Sequence, residues 1–164
     1  MVEIVKADYG NPVHAAGLVE VLNAYAMDVA GGGQALTAYT RENLVSALAA
    51  RQGAFSVLAF VAGPFGHQQA VGLVNCLEGF STFACKPLVN VHDVAVLPAF
   101  RGQGIAQKML ALVEKMARQS GACKLTLEVL SGNQKAAALY EHIGFESYRL
   151  NPEMGDARFM HKKL

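Results

Sequence analysis

AVLPAFRGQGIAQKML, residues 95–110, is the stretch from which the fold is read. An apolar run ends at a proline, and an arginine and two glycines one residue apart follow. Apolar residues then recur at three- and four-residue steps, at Ile105, Met109, Leu112, Val113 and Met116. A strand hands over to an amphipathic helix across a glycine bend, and the helix is expected to end near Gly121. In such a bend the backbone N–H groups of residues 102–107 lack intrahelical partners and lie at the positive end of the helix dipole, which suits an anion. Glycine at 102 and 104 lets phosphate oxygens approach the backbone without a side chain in the way. The same letters also spell an ordinary strand-to-helix turn, because the loop lacks the Lys-Ser/Thr of a P-loop and does not spell GxGxxG.

Upstream, Val2 and Ile4 alternate around Glu3 as an opening strand does, and Asn11-Pro12 starts a helix. Ala15, Leu18, Val19, Leu22 and Tyr25 share one face of that helix, which runs to a mobile connection at Gly31-Gly32-Gly33. A second helix opens at Thr40, turns Leu44, Ala47 and Leu48 inward, and stops at Gly53. Strands are expected at residues 55–61, 69–76 and 88–96, separated by Gly63-Pro64-Phe65-Gly66 and by residues 78–86, as an antiparallel meander. Downstream of the long helix, KLTLEVL (residues 124–130) alternates as the next strand, reached by a right-handed crossover. Residues 133–142 form a short helix with Gly144 just past it, and residues 145–149 and 158–162 are the last strand candidates. No repeat or linker divides the chain, so a single domain spanning residues 1–164 is expected.

At 164 residues and 52% hydrophobic, the chain can bury a real core. Fourteen Lys and Arg against 13 Asp and Glu give no field that would draw in nucleic acid or an acidic membrane, so recognition is local. Cys76, Cys85 and Cys123 form no CxxC pair and lie at no zinc-ligand spacing, which favours reduced thiols in a cytoplasmic protein and no metal. No basic start precedes a long apolar stretch and no apolar run approaches the roughly 20 residues needed to span a bilayer, so the chain is read as soluble and unprocessed.

Two segments together resemble the GNAT superfamily of N-acetyltransferases. Arg101-Gly102-Gln103-Gly104-Ile105-Ala106 is similar to its Arg/Gln-x-x-Gly-x-Gly/Ala pyrophosphate motif, with Val94-Ala95-Val96-Leu97-Pro98 resembling its fourth strand. Asn133 with Ala136-Ala137 and Leu139-Tyr140-Glu141-His142-Ile143-Gly144-Phe145 resembles its second cofactor motif. The resemblance implies an α/β (α+β) fold with a central mixed, mostly antiparallel sheet of about seven strands. Strands 4 and 5 would splay, and four helices would flank the sheet. It implies acetyl-CoA as cosubstrate, with its pyrophosphate on Arg101, Gly102, Gln103, Gly104, Ile105, Ala106 and Gln107. Its pantetheine arm would lie along Val94, Ala95 and Val96, and Asn133, Ala136 and Tyr140 would add further contacts. The reaction implied is direct attack of an amine on the thioester in a ternary complex.

By that resemblance Tyr140 is the acid beside the coenzyme A sulfur, since a phenol with pKa near 10 can donate to a thiolate in contact; by helical spacing alone it reads equally as a core tyrosine. Period-two alternation on residues 90–96 puts Asn90, His92, Val94 and Val96 on one face and Val91, Asp93 and Ala95 on the other. His92 then shares a face with Val94 and is a candidate base, an imidazole being ordinarily mostly neutral at pH 7, or else a structural residue. Asp93 reads as a brace to a neighbouring element. Glu128, central in KLTLEVL, is a second candidate for binding or deprotonating an amine, or a solvated strand position.

Within the superfamily the diamine acetyltransferases are similar at Leu36-Thr37, Glu42-Asn43-Leu44, Phe80-Ser81-Thr82-Phe83 and His92-Asp93-Val94. Asp28 matches an acidic substrate-side position of that subgroup, or is an exposed helix-end charge. The subgroup's amine-contacting glutamate is replaced here by His92, so the acceptor is left open among polyamines, amino acids and other small amines. The expected partners are such an amine and, as an option, a second copy of the chain in a homodimer. A non-catalytic acyl-CoA sensor and transfer to a protein amine stand as alternatives.

Overall fold

The computed structural model describes residues 1–63 and 67–164. It divides into two compact units, Met1–Leu127 and Glu128–Leu164. Its described residues hold five strands and four α-helices, and none of the helices is long and apolar enough to cross a membrane.

The first unit is a five-stranded sheet in chain order: β1 (Val2–Lys6), β2 (Ala54–Ala62), β3 (Gln68–Ser81), β4 (Lys86–Val96) and β5 (Leu125–Leu127). β2 to β4 pair antiparallel as the expected meander, β1 pairs antiparallel with β2, and β5 adds in parallel to β4. The turn expected at residues 63–66 falls, for residues 64–66, outside the described residues. α1 (Pro12–Met27) is capped by Asn11, whose Oδ1 accepts from the Val13 N–H at 2.9 Å, with Pro12 in the first turn. α2 (Ala38–Ala50) begins earlier than Thr40, because Thr37 Oγ1 accepts the Thr40 N–H and caps the helix there. α3 (Ile105–Gln119) is the helix expected after the glycine bend.

Register assigns the two sheet faces. Leu58, Leu73 and Ala95 lie on one, where they pack with Leu18 and Val21 of α1; Leu44, Val45 and Leu48 of α2 pack against the same cluster. Val45 takes the inward place expected of Ala47, which is exposed. The α1 backbone sits so close to the sheet that a methyl at Gly17 would lie 2.6 Å from the Ala70 Cβ. Val57, Val74 and Gly72 lie on the other face, and a methyl at Gly72 would lie 2.9 Å from Met109 Cε of α3. Ile105, Met109, Leu110, Val113 and Ala117 are the buried stripe of that helix.

Three expectations are corrected. β3 and β4 run further than residues 69–76 and 88–96, because Gly79↔Leu88, Phe80↔Pro87 and Ser81↔Lys86 continue the ladder through exposed and half-buried residues that carry no apolar alternation. β5 covers three residues rather than 124–130. The triple glycine is a hydrogen-bonded turn: the Gly33 N–H reaches Asp28 O and the Gln34 N–H reaches Ala26 O, both at 3.0 Å.

The second unit contains α4 (Gln134–His142), followed by a chain in which neither residues 145–149 nor 158–162 form a strand. Among the described residues the sheet therefore has five strands, not about seven. Alternation makes a strand only where backbone groups find a ladder to join. Here they close a loop instead: the Ala157 N–H donates to Tyr148 O at 2.9 Å and Arg149 pairs with Asp156 at 2.7 Å.

Candidate functional site

The end of β4 is built by two local departures from regular structure. The first is a β-bulge. Asn75 pairs with Asp93 and Cys76 with Val91, so His92 is an extra residue on β4 with no partner on β3. A bulge breaks the period of two, and strict alternation fails here. Val91 lies with Cys76 on the α3 side, whereas Asp93 and Ala95 follow Asn75 and Leu73 onto the face of α1 and α2. Val94, opposite Val74, and Val96, opposite Gly72, are on the α3 side. His92 therefore does not continue the face of Val94. It is exposed at the bulge with Nδ1 3.4 Å from Asn90 Oδ1, a contact at the outer limit of hydrogen bonding.

The parallel pairing to β5 runs through Val89↔Leu125, Asn90↔Thr126 and Val91↔Leu127 and stops beside the bulge. From Asp93 to Val96 the edge of β4 away from β3 has no strand partner among the described residues. On that edge Val94 and the Val96 N–H present backbone that an extended ligand can join, whereas the Val96 carbonyl accepts from Arg101 Nε.

The second departure is the glycine bend. A short 3-10 turn (Pro98–Phe100) leads to Arg101, Gly102 takes φ 77° and Gly104 takes φ 72°, and α3 starts at Ile105. Positive φ is the region that L side chains avoid, so both positions need glycine for the backbone path itself. An added Cβ at either would meet nothing within 4 Å, so packing does not exclude other residues and space remains around the bend. The N–H groups of Gly102, Gln103, Gly104, Ile105, Ala106 and Gln107 have no acceptor among the described residues, and Lys108 is the first donor of the helix, to Gly104 O at 3.1 Å. No acidic residue occupies the first turn of α3, so the positive helix end is uncompensated. The Ile105 side chain is buried in the core and Ala106 is half-buried, so what they offer a ligand is backbone.

Arg101 and Asp28 come together. Arg101 Nε donates to Val96 O at 2.9 Å and its Nη2 to Asp28 Oδ2 at 2.8 Å, so the guanidinium ties the end of β4 to the turn after α1. Asp28 Oδ1 accepts the Ala30 N–H at 3.0 Å and caps that turn. Arg101's hydrogen bond, and after it the Ala30 N–H, holds the Asp28 carboxyl below the usual carboxylate range. Asp28, expected as a substrate-side acid, is an ion-paired structural cap in this structure.

In the second unit Asn133 caps α4, its Oδ1 accepting from the Ala136 N–H at 3.3 Å. Tyr140 is buried in the last turn, with its ring edge-on to Phe145 at 6.0 Å, and its carbonyl accepts the Phe145 N–H at 2.9 Å. Glu128 lies exposed just beyond β5 rather than within a strand. Among the described residues no group of three or more His, Cys, Asp or Glu side chains could hold a metal ion.

Ser56 and Asn75 were not among the candidates. They are buried polar residues inside apolar strands, and that is the signal by which they could have been found: Ser56 interrupts AFSVLAFVA and Asn75 interrupts AVGLVNC.

A bulged strand that loses its neighbour leads into a glycine bend and a helix start with free amides, an arrangement suited to an extended ligand that carries an anionic group. The family comparison agrees: residues 38–145, more than half the chain, match the model of the Acetyltransferase (GNAT) family, and the chain belongs to that family. Among curated proteins it is 44% identical over 75 residues to the uncharacterized N-acetyltransferase YjgM of Escherichia coli (strain K12), covering 46% of this chain and 42% of that one. It is 39% identical over 56 residues to the thialysine N-epsilon-acetyltransferase of Mus musculus, covering 34% and 33%. It is 34% identical over 79 residues to the streptothricin acetyltransferase of Streptomyces lavendulae, covering 46% and 42%. The matched stretches span well under half the length of these relatives. Among solved structures, a probable acetyltransferase has TM-score 0.77 at 22% identity over 99% of both chains. The structure of AAC(6')-Iy with a bisubstrate analog has TM-score 0.74 at 16% identity, over 100% of this chain and 99% of that one. At these identities the likeness is one of fold.

Proposed function

We propose that the chain is an acetyl-CoA-dependent N-acetyltransferase acting on the primary amine of a small molecule. The observation that carries the reading is the arc of six unpartnered amides at residues 102–107, inside the segment that matches the family. The open space around Gly102 and Gly104 fits a diphosphate against that arc, and the edge of β4 beyond the bulge, which has no strand partner among the described residues, fits an extended amide-bearing arm at Val94 and the Val96 N–H. The names of two relatives, a thialysine and a streptothricin acetyltransferase, favour a small amine as acceptor.

Bound acetyl-CoA supplies an acyl thioester whose carbonyl carbon an amine can attack. The chain's own residues do the rest. Amides 102–107 donate hydrogen bonds to the diphosphate oxygens at the positive helix end without an arginine, since Arg101 is committed to Asp28 and Val96 O. His92, exposed at the bulge, takes the proton released as the carbon–nitrogen bond forms. Tyr140 gives its hydroxyl proton to the sulfur as the carbon–sulfur bond breaks, which leaves an N-acetyl product and a neutral thiol. Two proton positions and one anion cradle suffice.

The test is thiol release from acetyl-CoA against a panel of polyamines, amino acids, aminoglycosides and lysine peptides. Turnover with a small amine supports the reading. Coenzyme A binding without turnover of any amine overturns it in favour of an acyl-CoA sensor, and turnover confined to peptides overturns the small-molecule assignment.

A further inference from the structure

The middle of the sheet carries polar side chains where packing asks for none. Ser56 on β2 and Asn75 on β3 are in direct register and are 0% and 5% exposed. Burying a hydroxyl and a carboxamide is costly unless each is hydrogen-bonded, and here each is. Tyr9 and Ser56 hydroxyls lie 2.9 Å apart, Ser56 Oγ donates to Asn75 Oδ1 at 2.6 Å, and Asn75 Nδ2 donates to Asp93 Oδ2 at 2.9 Å.

The direction of this chain follows from its end. A carboxylate only accepts, so the Asn75 amide nitrogen must face Asp93 and its oxygen must face Ser56. Ser56 spends its one proton there, which leaves Tyr9 to donate to Ser56. All four groups sit in one unit, on the loop after β1 and on β2, β3 and β4.

The bulge works to the same end. On strict alternation Asp93 would follow Val91 beneath α3, among Ile105 and Met109; the extra residue at His92 turns it instead onto the face of Asn75. Asp93 Oδ1 then has no donor, and no cation pairs with Asp93 among the described residues. Its charge is felt nearby. Burial first, then Asp93, then Asp28 push the Tyr25 phenol up, and burial first, then Asp93, push the Cys76 thiol up to about 12.

We propose that Tyr9, Ser56 and Asn75 form a positioning chain that holds Asp93, beside His92, as the anchor for the ammonium of a cationic acceptor. This deepens the acetyl-transfer reading and rests on it for the identity of the acceptor. A half-buried carboxylate with one oxygen fixed inward and the other free is arranged for a cation from outside. The protonated amine docks on Asp93 and loses one proton to solvent; the neutral amine then attacks, and His92 takes the second proton as the carbon–nitrogen bond forms.

The test uses n-butylamine and 1,4-diaminobutane as probes, titrated calorimetrically into the coenzyme A-saturated chain, with KM and kcat measured for the amine turned over. Asp93→Asn should weaken amine binding and raise KM about 10–100-fold, the range of one charge-assisted bond, with coenzyme A affinity preserved. Asn75→Leu should shift the same constant in the same direction. The double variant should bind amine no worse than Asp93→Asn alone, since the chain acts only through that carboxylate. Tyr9→Phe keeps the ring, sits at the far end of the chain, and should give a smaller rise in KM even if Asn75→Leu fails to fold. Amine binding that is equal in the wild type and Asp93→Asn, fully additive effects in the double variant, or an unchanged KM in Tyr9→Phe would each overturn the proposal. Amine binding that depends on Asp93 without thiol release would support the anchor and sink the acetyl-transfer reading alone.

Discussion

Replacing Gly104 by valine separates the backbone of the glycine bend from its packing. Gly104 adopts φ 72° and ψ 11°, and a Cβ there meets nothing within 4 Å, so in the ligand-free protein the substitution introduces strain without a clash. An L-residue in that conformation costs roughly 1–2 kcal/mol, and a β-branched one is an outlier there. The loop is therefore expected to relax toward negative φ and turn the amides of residues 102–107 away from a common centre. Each amide bond to a charged oxygen contributes about 1.5–3 kcal/mol, so misdirecting two of them predicts a rise in the coenzyme A dissociation constant of about 10² or more. Thermal unfolding should show a melting point only slightly lowered, and calorimetry should show the loss of affinity. A folded Gly104→Val variant with wild-type affinity for coenzyme A would refute the assignment of the anion site to this arc.

Tyr140→Phe removes one hydroxyl and leaves the ring against Phe145, so coenzyme A affinity should hold while kcat falls about 10²–10⁴-fold; an unchanged kcat with chemistry rate-limiting makes Tyr140 a packing residue. His92→Ala should lower kcat with coenzyme A affinity preserved, and an unchanged kcat with chemistry rate-limiting assigns the proton to another group. Gly17→Ala sets two effects against each other: helix propensity alone favours alanine by about 1 kcal/mol, whereas the 2.6 Å approach to Ala70 predicts overpacking costing about 1–3 kcal/mol. Urea unfolding should show net destabilisation, and a stabilised variant would mean α1 shifts freely. Because Asp28 is held below the ordinary carboxylate range by Arg101, its contribution to stability is present above that range and lost as pH falls through it. Melting points from pH 7 to pH 3 should converge for the wild type and Asp28→Asn, and an advantage undiminished at pH 3 contradicts the ion pair.

What residues 95–110 dictate on their own is local: a proline-ended strand, two glycines that allow positive φ, and a 3.6-residue apolar stripe specify a strand, a bend and a helix wherever they occur. The arc of unbonded amides was legible for that reason, since it follows from the helix start alone. Asn11, Asn133 and the antiparallel meander were legible on the same terms. The rest was decided by partners distant in sequence. Alternation at residues 145–149 and 158–162 did not become strands, because a strand exists only through the ladder that receives it. His92 and Asp93 changed faces because a bulge is a mismatch between two strands, and Asn75, 18 residues away, selects the register. Asp28 met Arg101 across 73 residues, and nothing local marks a carboxylate as already paired. Side-chain period and caps act within one or two turns of chain, whereas face, pairing and charge compensation are settled only when the sheet closes and each buried polar group must find its partner.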